Sequence, residues 1–441
     1  MTRDLPAILG GTACVRAADH RLWPNIDESD RRAVLRVLDR GILSGSHAPE
    51  ALALEERFAE YVGAKFCLLT HCGTSALQLA LAASGVEAGD EVIVPAYSFI
   101  ATPLAVVLQG ATPVFVDVDP VNGQLDLDQV AAAVTPATKA VMPVHIHGQA
   151  SDMPAILALA QRSGLRVVED AAQAHGATVA GKAVGALGSA GGFSLQSSKN
   201  LGAGEGGLFV TNDPGGAEIA NRVRNFGQNL RLSDVADFDP THPLDGTRSL
   251  ESVRLGSMYR GNEMTAALAH SQLKRLPERT RRCIENASLL SARLRELPGV
   301  TPPGSLSDRT SVHHKYRVHL DPERAGLGCA PALLREAIKT ALEAEGCEVV
   351  YWQSQPLPAQ AVFRETLVPA LRPRASGTDL TRNYDPARYP DTSRLLDGSL
   401  LLFSQSYPLI GQEAGLVERY ADAFARVWRH REEIVAKASR C

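Results

Sequence analysis

The sequence has seven cysteines scattered along 441 residues with no Cys-x-x-Cys pair. That spacing argues against a disulfide framework and a zinc site, and for a reducing compartment. Basic charge is not in excess either: 45 Lys+Arg face 49 Asp+Glu, a net charge of -4, so nothing suggests a nucleic-acid footprint. No apolar run reaches the roughly 20 residues that a bilayer span needs. The opening stretch MTRDLPAILGG lacks an apolar core followed by a cleavage site, as a secretory leader requires. Internal repeats and low-complexity tracts are absent as well. These absences lead us to expect a cytoplasmic protein without a nucleic-acid or membrane partner. What is present, 45% hydrophobic and 21% charged residues with 37 Gly and 26 Pro, is ordinary for a soluble globular chain. The length suits two domains or one large one.

From about Glu50 to Thr211 short apolar runs alternate with helical patterns. KFCLLT precedes the alanine-rich HCGTSALQLALAAS; DEVIVPA precedes SFIATPLAVVLQG; TPVFVDVD precedes LDLDQVAAAV; KAVMPVHIHG precedes DMPAILALAQRSG. LRVVED, AGGFSLQ and GGLFVTND then read as further strands. Continuous apolar strands alternating with helices predict an α/β fold with a mostly parallel sheet, its ligand beyond the strands' carboxyl ends. After Asp213 the pattern changes. Residues 228–255 read as a loop, and the part beyond about Pro302 as a smaller α+β domain. The predicted division is an N-terminal segment 1–40 packing with the small domain, a large domain 41–276 and a small domain 277–441. Residues 353–399 read as a long connection holding Arg364, Arg372, Arg374, Arg382, Arg388 and Arg394. It is either a mobile surface excursion or a lid that selects substrate.

Three positions carry candidate chemistry. Gly73-Thr74-Ser75 stands where a strand hands over to a helix, a place for an anion site or a plain helix cap. Asp170 ends LRVVED at the ligand face, either to neutralise a protonated ring nitrogen or to cap the next helix. Lys199 lies in SLQSSKNLGAGEGG, between serines and a run of glycines. A lysine in such a partly desolvated place has a lowered pKa and can form a Schiff base. Together an anion site, a carboxylate and a lysine point to pyridoxal 5'-phosphate. A Walker A loop is ruled out, because here the lysine precedes the glycines and is followed by Asn200. His145 and His147 form a histidine pair with no third ligand nearby, and no metal is expected.

These motifs resemble the DegT/DnrJ/StrS-type sugar and cyclitol aminotransferases, which are fold-type I pyridoxal phosphate enzymes. CGTSALQLAL, DEVIVPAYSFIATP, GATPVFVDVD, VEDAAQAHGA and FSLQSSKNLGAGEGGLFVTND carry the likeness, over about Ile42 to Leu276. The resemblance implies a large domain with a mostly parallel central sheet and a smaller α+β C-terminal domain. It implies that Lys199 is the Schiff-base lysine and Asp170 the partner of the pyridine nitrogen. It likewise implies phosphate binding by Gly73, Thr74 and Ser194. Phe99 would stack on the ring, with Tyr97 as second candidate, and Gln173 would lie near the ring hydroxyl. The implied working unit is a homodimer with shared active sites, taking an amino donor (glutamate or glutamine) and a keto substrate.

Two positions depart from the family pattern. Met258 stands where an asparagine reaches the partner subunit's phosphate, with Arg260 or Asn262 as its replacement. Pro358 stands where a histidine is common. The expected activity is conversion of a ketone on a sugar nucleotide, cyclitol or similar polyhydroxylated intermediate to an amine. Met258 and Pro358 keep open a pyridoxal phosphate enzyme of another reaction type, by elimination or cyclisation. A non-catalytic sensor on the same fold is the other alternative, against which the intact Lys199, Asp170 and Gln173 set speaks.

Overall fold

The computed structural model describes residues 5–45, 48–232, 251–304, 307–367 and 383–440. Helix α1 (Glu28–Arg40) starts where the Asp27 carboxylate accepts from the backbone N–H groups of Ser29 and Asp30, and stops at Gly41 with φ 76°. A carboxylate cap and a left-handed glycine are the usual local signals for those two ends. Helix α2 (Pro49–Val62) follows, with Pro at its first position. The chain then alternates strand and helix: β1 (Phe66–Thr70), α3 (Gly73–Ala83), β2 (Glu91–Pro95), α4 (Ala101–Leu108), β3 (Thr112–Val116), α5 (Leu127–Ala132), β4 (Thr138–Val141), α6 (Met153–Ser163) and β5 (Arg166–Asp170). A small antiparallel pair, β6 (Thr178–Val179) and β7 (Lys182–Ala183), precedes β8 (Ala190–Ser194) and β9 (Gly207–Thr211).

The main sheet has seven strands in the order β1-β9-β8-β5-β4-β2-β3. Strands β3, β2, β4, β5 and β8 run parallel, while β9 is antiparallel to both neighbours. The central strands are buried throughout, as expected where helices cover both faces. Helix α3 lies directly on β8. A Cβ added to Gly192 would meet Leu77 Cδ2 at 2.8 Å, so glycine is what lets the helix come this close. That contact draws the start of α3 toward the carboxyl end of β8.

Helices α7 (Pro214–Arg224), α8 (Glu263–Leu273) and α9 (Leu276–Leu294) lead to a second, antiparallel sheet. Its strands are β10 (Val300–Thr301), β11 (Tyr316–Leu320), β12 (Val349–Val350) and β13 (Ser399–Leu402), in the order β10-β11-β13-β12. It carries α10 (Pro331–Ala344), α11 (Pro390–Asp397), α12 (Ala414–Arg429) and α13 (Arg431–Ala438). One apolar cluster runs from Phe58 and Phe193 through Leu290 to Val318, Leu402 and Phe424. The N-terminal segment divides its contacts. Residues before α1 reach the C-terminal region, as where Ala7 N–H and Cys14 N–H donate to the Glu345 carboxylate. Helix α1 itself packs on α8.

The described parts of 353–399 are not a solvated excursion, and no arginine-lined lid is seen in them. Asn383 pairs with both backbone groups of Phe115, accepting its N–H at 3.0 Å and donating to its carbonyl at 3.1 Å. Tyr384 donates to the carbonyl of Pro113, and Thr392 to Asp117. The segment therefore satisfies the open edge of β3, which would otherwise present unpaired backbone groups. Arg364 and Arg388 are exposed, and exposed Arg394 pairs with Asp391. Arg372, Arg374 and Arg382 lie outside the described residues.

Candidate active site

The carboxyl ends of β1, β5 and β8 converge on a cavity of about 330 Å³ lined by Gly73, Thr74, Phe99, Asp170, Gln173, Ser194 and Lys199. Seven of the nine expected site residues thus meet in one place. At its floor, Gly73 opens α3 so close to β8 that an added Cβ would stand 2.8 Å from Ser194 Cβ. The Cys72 side chain caps Ser75 N–H, and the first turn of α3 lines the cavity through Gly73 and Thr74, beside Ser194. A helix start beside two hydroxyls is the chemistry that suits a phosphate.

Asp170 is buried at the end of β5. Its Oδ2 accepts from Thr102 Oγ1 at 2.7 Å and its Oδ1 from Ala172 N–H at 3.1 Å. Ser98 in turn donates to Thr102 at 2.8 Å. Burial pushes the Asp170 carboxyl up, opposed by these bonds and by Lys199. A buried carboxylate of this kind gains from a cationic ring N–H.

Lys199 enters from the loop after β8. Burial lowers its ammonium to about 8, against the opposing pull of Asp170, so a useful fraction is free amine near neutral pH. Trp23 Nε1 donates to the Lys199 carbonyl at 3.0 Å, which fixes the loop from the N-terminal segment. Gln173 accepts His147 N–H at 2.9 Å with its side-chain carbonyl, leaving its amide for the cavity.

Phe99, half exposed, stacks on Trp352 at 6.3 Å and 21°. Tyr97, the second aromatic candidate, is buried instead and bonds His147 Nε2 at 3.0 Å and the Arg317 guanidinium. His147 accepts from Arg317 at 3.0 Å; burial and that cation hold its pKa well below the usual range. His145 accepts Ser151 N–H at Nδ1 and meets Glu169 at 3.0 Å through Nε2. The two histidines are thus engaged separately. No group of three or more metal-binding side chains occurs among the described residues.

Arg260 and Asn262 do not line this chain's own cavity. Arg260 donates to Asn225 Oδ1 at 2.8 Å, and Asn262 caps α8 by accepting Thr265 N–H at 2.9 Å. Met258 is half exposed, and Pro358 is buried in a short helical turn.

Sequence reasoning missed Thr102, whose signal was its place in SFIATP after β2. It also missed Lys315, Trp352 and Gln405, which line the cavity from the far part of the chain.

A parallel-centred α/β sheet with a lysine, a carboxylate and an anion cradle at its carboxyl edge defines a fold-type I pyridoxal phosphate enzyme. Comparison with known proteins gives the family: residues 24–376 match the DegT/DnrJ/EryC1/StrS aminotransferase family model. The chain belongs to that family and is a pyridoxal phosphate-dependent aminotransferase. It is 37% identical to an L-glutamine:2-deoxy-scyllo-inosose aminotransferase of Streptomyces lividus, over 98% of this chain and 99% of that one. Among solved structures it is similar to 3-amino-5-hydroxybenzoic acid synthase (TM-score 0.78, 31% identity, 93% of this chain and 100% of that one). A structure of DesI in the presence of its TDP-sugar product is similar at TM-score 0.78 and 29% identity, covering 99% of each chain.

Proposed function

We propose that the protein transfers the amino group of L-glutamine to a ketone on a polyhydroxylated ring, a cyclitol of the inosose type. The observation that carries this reading is the intact cavity of Lys199, Asp170 and the Gly73–Ser194 cradle in a chain alignable end to end with an inosose aminotransferase. We assign phosphate binding to Gly73, Thr74 and Ser194, the ring nitrogen to Asp170, a ring face to Phe99 and the ring hydroxyl to Gln173. When bound, the cofactor supplies an electron sink for the carbanion formed at the donor's Cα. Lys199 Nζ would hold the cofactor's aldehyde carbon and, once freed by the donor's amine, would serve as the general base for the Cα proton. Asp170 keeps the proton on the ring nitrogen, with Thr102 orienting the carboxylate. In the second half-reaction Lys199 returns a proton and the ketone leaves as an amine.

The same reading takes 41–276 as the cofactor domain and 277–441 as the small domain, in a cytoplasmic homodimer. Exposed Phe226, Leu255 and Met258, at 47%, 93% and 46%, are an apolar surface suited to a second copy. We assign Arg260, with its free guanidinium nitrogens, to the partner's cofactor phosphate. Asn262 is the weaker candidate for that role, because its side-chain oxygen is already committed to α8.

The test is a panel of amino donors and keto acceptors offered to holoenzyme, following the visible band of lysine-bound cofactor. L-glutamine should bleach it and an inosose restore it. Borohydride should fix the label on Lys199, and a label on Lys182 would overturn the site. Mixing Lys199→Ala with Arg260→Ala subunits should recover partial activity; none, despite subunit exchange and inactive parents, would place Arg260 outside a shared site.

A further inference from the structure

Lys315 is a cation without a use so far. It is only 5% exposed and lies immediately before β11 of the antiparallel sheet. Two cavities share it. One is the Lys199 cavity; the other, of about 370 Å³, is formed by Glu348, Tyr351 and the loop 404–407, with Trp352 and Gln405 common to both. Lys315 thus stands at the passage between the two. Its backbone is held from both sides: Lys315 N–H donates to the His147 carbonyl at 3.3 Å, and Asn200 donates to the Val312 carbonyl at 2.9 Å.

No carboxylate neutralises this ammonium among the described residues. Glu205 and Glu348 line the two cavities, yet neither forms an ion pair with Lys315 or raises its pKa. Burial and the charge of Lys199 push it down to about 8. The nearby Arg317 differs. It is satisfied by Tyr97, His147 and Ser399 and does not line either cavity. A buried ammonium without a partner is costly unless an anion completes it.

We infer that Lys315 binds the α-carboxylate of the amino donor. This rests on the aminotransferase reading above. An α-amino acid must present its amine to Lys199 with a carboxylate one carbon away, and Lys315 is a cation close enough to feel the Lys199 charge. The phosphate cradle is built by other elements, the start of α3 against the end of β8, and an inosose carries no anion of its own. The assigned role is positioning and specificity: a fixed carboxylate fixes the Cα–H bond relative to Lys199.

The experiment compares L-glutamine with its α-carboxamide in the donor half-reaction of holoenzyme, in wild type, Lys315→Met and Lys315→Arg. Lys315→Met should weaken L-glutamine at least about tenfold, the scale of a charge-assisted bond, and leave the α-carboxamide nearly unchanged. Lys315→Arg should restore part of the preference. Calorimetry with glutaramate, which keeps the carboxylate but has no amine to react, should show the same loss of binding in Lys315→Met. An equal loss with both donors would make Lys315 structural and overturn the assignment. So would a loss confined to the keto half-reaction, which would place the anion on the acceptor. Failure of both variants to form the visible lysine-bound cofactor would assign Lys315 to the cofactor seat instead. If no α-amino acid bleaches wild type, the aminotransfer reading fails, and this inference with it.

Discussion

The two walls of the cavity are built in opposite ways. The sheet wall takes Gly73, Asp170, Ser194 and Lys199 from the ends of neighbouring strands, each within a short stretch that names its own structure. The facing wall takes Lys315, Trp352 and Gln405 from the entrance to β11, the exit of β12 and the loop after β13. The first wall holds the groups proposed to react, and its parts are set by strand ends and a helix start. The second owes its existence to the docking of the antiparallel sheet, and meets whatever enters. On the reading proposed above, chemistry is carried by local motifs, and selection by a surface assembled from distant segments. A family can then keep one and vary the other.

The largest effect expected on the sheet wall is that of Lys199→Ala. It should abolish turnover in both half-reactions while cofactor is still retained through the cradle, as shown by equilibrium dialysis. Residual turnover would mean that Lys315 supplies a base, and the contrast between the walls would collapse. Asp170→Asn comes next. It should bind cofactor but lose at least roughly two orders of magnitude in rate, the scale of one preorganised charged group. Thr102→Val removes the hydroxyl that orients Asp170 and keeps the shape. It should cost about tenfold in kcat, near the low end for a hydrogen bond to a charged group, with the donor preference unchanged.

A pH experiment sharpens the comparison without substitution. Cofactor capture by the apoenzyme needs Lys199 as free amine, and its lowered value of about 8 gives the sign: capture accelerates with rising pH. The rate should climb about tenfold from pH 7 to pH 9 and then level off; an ordinary lysine near 10.4 would rise about a hundredfold without levelling. Stopped-flow absorbance distinguishes the two.

The smallest effect on turnover is expected from Asn383→Ala, away from both walls. It strips the partner from Phe115 N–H and carbonyl at the sheet edge and should cost about 1–3 kcal/mol of stability. The urea midpoint should fall while kcat stays near wild type. A large loss of kcat would show that the edge segment supports the site directly.

Much of the main sheet is legible in the amino-acid sequence. Apolar runs of strand length between helical repeats announce β1 to β5, β8 and β9, because a strand covered on both faces has no polar side to hide. Gly73, Asp170 and Lys199 are legible for a related reason: each lies at or shortly after a strand's carboxyl end, where backbone direction sends it to the ligand face. Strand β13 is not, since Ser399–Leu402 begins only where what reads as a long connection ends and gains its meaning by pairing with β11 and β12. Asn383 looks like a loop residue until the bare edge of β3 is beside it.

The sequence by itself determined the strand and helix order and the placing of Gly73, Asp170 and Lys199 about the carboxyl edge of the sheet, because these depend on neighbours within a few residues. The tertiary structure decided that His145 and His147 face different partners, since the chain turns through a left-handed His147 with φ 58°. It also decided that, among the described residues, no carboxylate pairs with Lys315 beside Lys199. Burial and the choice of partner are properties of packed surroundings, and contacts across more than a hundred residues of chain leave no periodic trace in the residues that make them.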